Sequence, residues 1–196
     1  MPYFLGVLAG LAGLEHGYFE ILQGNQRPTS LMFPSWGPQQ CDPVKIWHAC
    51  EPAMSLLPTF LVAGILTILL SLVIIVWSAA FVQRKSGGLV LLLLLVALLL
   101  AGGGFFPPLI GMVGGAAGTK INKQLSDKPR GLGRFAARLW PWPLAILVIW
   151  LLGQFPVGYF FNDFLKSNMG FGLLLILVML PLSVWSARAY DAAGQP

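Results

Sequence analysis

Charge is scarce in this chain of 196 residues, where Asp, Glu, Lys and Arg together make up 10%. No Lys or Arg precedes Arg27, so the basic n-region of a cleaved signal peptide is missing, and Glu15, His16 and Glu20 interrupt its apolar centre. The first segment therefore reads as a retained helix. Cysteine is limited to Cys41 and Cys50, and histidine to His16 and His48. Neither Cys-x-x-Cys nor a c-type haem signature occurs, which leaves a dithiol redox enzyme without support. The first helix also lacks the second histidine of a metalloprotease motif. Ser71, Ser78 and Ser183 have no Gly-x-Ser-x-Gly surround, and no Walker-type phosphate loop is found. No repeat of about 20–50 residues is visible, which counts against the common inverted-repeat transporters.

What fills the chain is apolar: 57% of its residues are hydrophobic and its mean hydropathy is +0.77. One water-soluble core cannot hide that much apolar surface, so the expected solvent is lipid. A helix needs about 20 residues to cross about 30 Å of hydrocarbon. Residues 3–22, 55–80, 142–161 and 169–187 meet that length, and 88–118 is a fifth, irregular apolar region. Leu89 to Leu100 is uniformly apolar without the alternation a β-barrel requires. The expected fold is an all-α polytopic integral membrane protein, a single membrane domain over 1–196. It comprises four full transmembrane helices and a Gly/Pro-broken helical hairpin at 88–118, with five spans as the alternative.

Topology separates those alternatives. Gln23 to Pro52 carries Pro28, Pro34, Pro38, Pro43 and Pro52, which makes it an extramembrane loop. It holds Cys41 and Cys50, an even pair that forms a disulfide if the loop faces an oxidising compartment. A single crossing by 88–118 puts this loop in the cytoplasm beside the basic loop 119–138. A hairpin puts it outside. The hairpin is favoured by Gly102, Gly103 and Gly104, a flexible bend, and by Pro107 and Pro108, the second of which disfavours α geometry at the first. Both termini are then cytoplasmic, with nine of the twelve Lys and Arg inside and three (Arg27, Lys45, Lys166) outside, as the positive-inside rule asks. Trp77, Trp140, Trp142 and Trp185 fall near the inner surface, and Tyr18 and Tyr159 near the outer. The expected location is the cell (plasma) membrane.

Ionisable groups at membrane depth are costly and mark functional sites, so Glu15, His16 and Glu20 are the leading candidates. Gly6, Gly10, Gly13 and Gly17 line one face of the same helix, a spacing that lets another helix approach closely. His16 and Glu20 are four apart and meet at the border of that face, while Glu15 points elsewhere. A carboxylate beside an imidazole suits proton relay or two metal ligands. Structural satisfaction of the pair is the competing reading. His48 precedes Cys50 in a His-x-Cys arrangement, but a tetrahedral metal site there needs Cys41 plus Asp42 or Glu51, and no metal or cofactor is assigned. Gly111, Gly114, Gly115 and Gly118 suit close packing, Pro156 and Pro181 mark possible kinks, and Gln154 is the main polar group of the later helices.

Three functions fit. The first is transport or channel activity for a small solute, ion or proton through the first-helix cluster. The second is a non-catalytic accessory or scaffold subunit of a membrane complex, and the third an intramembrane lipid-acting enzyme. Expected partners are membrane lipids, and a second copy or other membrane subunits docked on glycine-rich faces. Nucleic acid is not expected, because six of the twelve cations cluster between Lys120 and Arg138, where a membrane protein keeps its cytoplasmic charge.

Overall fold

The computed structural model describes residues 1–34, 51–121 and 130–194. These are mostly helical, in the order α1 (Pro2–Leu22), β1 (Met32–Pro34), β2 (Pro52–Met54), α2 (Phe60–Ala80), α3 (Gly87–Ala101), α4 (Phe106–Gly118), α5 (Leu132–Leu139), α6 (Trp142–Phe160), α7 (Asn162–Ser167) and α8 (Met169–Ala193). Three of them, α2, α6 and α8, are long and apolar enough to cross a membrane, and α3 and α4 are shorter apolar helices. α1 has the length, 21 residues, but Glu15, His16 and Glu20 dilute its apolar character. The chain divides into two compact units, Pro2–Asn122 and Lys123–Pro196 with Met1.

In the first unit α1 runs through the middle. Small residues on a helix face let a neighbouring helix approach closely. A Cβ at Gly17 would come 2.8 Å from the Gly64 carbonyl oxygen, and one at Gly10 2.9 Å from that of Ser71. At Gly13 and Gly6 a Cβ would overlap the hydroxyls of Ser71 and Ser78. The descending order of these contacts makes α1 and α2 antiparallel. α3 and α4 form an antiparallel hairpin in which a Cβ at Gly111 would lie 2.6 Å from Leu95, one at Gly115 2.9 Å from Leu92, and one at Gly118 3.0 Å from Gly88. Both legs also touch α1: Leu98 faces Gly13, Leu91 faces Gly6, and Gly111 faces Ala9. Leu5, Ile74, Leu91, Leu95 and Leu98 are fully buried.

Two local expectations are corrected. The span foreseen over 55–80 starts as a helix only at Phe60, because Thr59, after Pro58, accepts the Val62 N–H and caps it. Just before that span, residues 52–54 form a strand, not anticipated from sequence, paired antiparallel with 32–34, with Phe33 opposite Ala53 and the ladder ending at Pro34 opposite Pro52. Pro107 is helical despite Pro108: the break falls at 102–105, and both prolines sit in the first turn of α4, where a missing N–H costs no intrahelical bond.

The second unit packs α5 and α6 on α8, with the short α7 between α6 and α8. α5 occupies 132–139, so the basic segment foreseen as a loop over 119–138 is helical in its last part. Ala136 is its buried contact residue, and the Trp140 and Tyr190 rings lie 6.5 Å apart, tying α5 to the last turns of α8. Pro156 and Pro181 lie inside continuous helices.

Candidate polar site beneath the glycine bend

His16 and Glu20 share the face of α1 that carries the glycines and are buried with it, at 2% and 0% exposure. The Gly102–Gly104 bend closes over them. Gly102 and Gly104 have φ of +124° and +77°, a region side-chain-bearing residues rarely adopt. A Cβ at Gly102 would overlap the Glu20 carboxylate, and one at Gly104 would lie 2.5 Å from His16 Nε2. Backbone conformation and close approach thus both demand glycine, and the bend's main chain forms the wall of the site. Gly102 is also the C-cap of α3, donating its N–H to the Leu98 carbonyl, so the Glu20 carboxylate meets the negative end of that helix.

The other wall comes from the segment around β2. Ser55 Oγ donates to the Ala101 carbonyl at 3.0 Å, and the Leu56 N–H donates to that of Leu100, also at 3.0 Å. These bonds satisfy carbonyls that α3 leaves open at its C-terminus. They also hold the segment so that Glu51 Oε2 lies 3.6 Å from His16 Nε2. The Glu51 side chain is 30% exposed, so the cluster runs from a partly solvated carboxylate through the imidazole to a fully enclosed one.

Among the described residues, neither carboxylate oxygen of Glu20 nor Nδ1 of His16 has a hydrogen-bond partner. The buried hydroxyls of Thr67, Ser71 and Ser78 are also without one. Desolvating a polar group without compensation costs about 1–3 kcal/mol, more for a charge, so Glu20 stands out as the most expensive side chain in the unit. Glu15 is half-buried and lies about 100° around the helix from His16. Gln154 is half-buried in the other unit. Cys41, Cys50 and His48 lie outside the described residues. Among the described residues, no group of three or more His, Cys, Asp or Glu side chains is arranged to hold a metal ion.

The sequence pairs His16 with Glu20 by spacing alone. It does not show that the Gly102–Gly104 bend is their lid, or that Glu51 is a neighbour of His16. The helix face holding Gly6, Gly10, Gly13 and Gly17 is filled by α2 of the same chain, so a partner subunit would have to dock elsewhere. Comparison with protein families, with curated proteins and with solved structures gives no match.

Proposed function

We propose that this is a small multi-pass membrane transport protein that passes protons or a small cation by way of Glu51, His16 and Glu20. The observation that carries this reading is the fully buried, unpartnered Glu20 carboxylate held against the carbonyl end of α3. Both groups stabilise a positive charge delivered between them. Glu51 supplies the solvent side, and His16, which can hold and release a proton on either nitrogen, joins the two carboxylates. The irregular backbone of the bend is buried by protein, with Ser55 and Leu56 bonded to the Ala101 and Leu100 carbonyls beside it, and it faces the polar cluster.

The proposed topology puts both termini in the cytoplasm of the cell membrane, α3 and α4 as a re-entering pair, and the loop with Cys41 and Cys50 outside, where the two form a disulfide. Labelling of cysteines introduced at Gln39 and Gln124 in a Cys41→Ser/Cys50→Ser background checks it: opposite-side labelling is expected, and same-side labelling rejects it. The functional reading is tested with the full chain in liposomes carrying a pH-sensitive dye inside and, in parallel, one responsive to small cations. An imposed gradient should drive flux in the wild type, and Glu20→Gln should reduce it to the level of protein-free liposomes. Equal flux in wild type and Glu20→Gln rejects the assignment.

A further inference from the structure

The helix α5 has three distinct sides. Ala136 is fully buried where α5 packs on α8. At about 100° per residue, Arg134 and Arg138 each point about 160° away from Ala136, while Leu132, Leu139 and Phe135 share one flank, about 40–100° from it. Leu132 is 75% exposed and Phe135 59%, and Trp142, just past the helix, is 67% exposed. Arg130, Arg134 and Arg138 are exposed, and among the described residues no ion pair engages them.

Length places this helix. α8 has 25 residues, about 37 Å at 1.5 Å each, against a hydrocarbon layer of about 30 Å. α5 meets α8 near Tyr190, in the last turns, which is where a spanning helix emerges from the apolar layer. Leu132 and Phe135, both exposed on one flank of α5, form an apolar strip beside the arginines. Directed at the acyl boundary, it anchors the helix in the membrane plane with its guanidinium groups at headgroup height.

We infer that α5 is an in-plane membrane-surface site for anionic phospholipid. Leu132 and Phe135 enter the acyl boundary, and Arg134 and Arg138 bind lipid phosphate. Charge complementarity commits the site to this occupant. The guanidinium fork matches phosphate oxygens bidentately, and the two arginines, one helical turn apart, can take one phosphate each. Zwitterionic lipid offers the same phosphate but cancels its charge with a choline or ethanolamine group, so selectivity for net negative headgroups follows. The site lies wholly in the second unit and does not rest on the transport reading.

The test is equilibrium binding of fluorescent phosphatidylglycerol, with phosphatidylcholine in parallel, to the purified full chain in a neutral detergent at low salt. The wild type should prefer phosphatidylglycerol and lose that preference as salt is raised. Arg134→Gln should weaken phosphatidylglycerol binding about fivefold and Arg134→Gln/Arg138→Gln about thirtyfold, with phosphatidylcholine unchanged. Leu132→Ser/Phe135→Ser should weaken both lipids. Equal binding of the two lipids by the wild type overturns the inference, as does an unchanged affinity in the double Gln variant. Displacement of the lipid by an equal concentration of inorganic phosphate overturns it in favour of a free anion as the occupant. If the double Gln variant fails to fold, the wild-type lipid preference and its salt dependence decide the matter.

Discussion

Replacing Gly104 by alanine probes the wall of the polar site, and Gly24 supplies the reference that makes the result interpretable. Gly24 has φ of +70°, close to the +77° of Gly104, but a Cβ there meets nothing within 4 Å. Gly24→Ala therefore reports backbone strain alone, about 1–2 kcal/mol. At Gly104 the same strain is joined by overlap with three atoms of the His16 ring, at 2.5, 2.7 and 2.8 Å. Overpacking of a closely filled site costs about 1–3 kcal/mol, so Gly104→Ala should cost about 2–5 kcal/mol in all. In a His16→Ala background the overlap is gone and the cost of Gly104→Ala should fall to that of Gly24→Ala, a coupling of about 1–3 kcal/mol. The assay is equilibrium unfolding of the purified protein in mixed micelles. Thermal midpoints are a second readout, at roughly 2–4 °C per kcal/mol. Additive effects of Gly104→Ala and His16→Ala, or equal costs at Gly24 and Gly104, would refute the claim that the bend is seated on the imidazole.

Three further substitutions test the packing. Gly64→Ala sets a Cβ 2.5 Å from the backbone oxygen of Gly17, which cannot swing away, and should destabilise by about 1–3 kcal/mol. Gly153→Ala, inside α6 with nothing within 4 Å, should instead be neutral or stabilising by up to about 1 kcal/mol in the same unfolding assay. Ser55→Ala removes the hydroxyl that satisfies the Ala101 carbonyl and should cost about 1 kcal/mol. It should also raise amide hydrogen exchange at Leu56, whose own bond to Leu100 depends on the same register.

The parts of the molecule legible in sequence are those written locally. Apolar runs of helix length announce α2, α6 and α8, and the four-three-four spacing of glycines on α1 announces a close helix contact. The Gly-Gly-Gly-Phe-Phe-Pro-Pro string announces the turn between α3 and α4, although its prolines belong to the following helix and not to the break. The ribbon was illegible because three residues per strand are too few to show alternation, and both strands sit among prolines. α5 was hidden by its arginines, which read as loop charge until Ala136 is seen buried between them. The polar site needed tertiary information: His16, Glu51 and Gly104 are brought together by three separate elements, and nothing in the spacing of distant residues encodes such a meeting. His16 and Glu20 lie on one helix, so that half of the site was visible.

The central position of α1 has a consequence for how the protein is made. α1 precedes its neighbours in the chain: Gly64, Ser71, Leu98, Gly102 and Gly111 are all translated after it. Until the chain has been made as far as Gly104, Glu20 has neither the α3 terminus nor the glycine bend to enclose it. Enclosure of Glu20 is therefore a late event in building the unit, dependent on α3 and the bend that follows it.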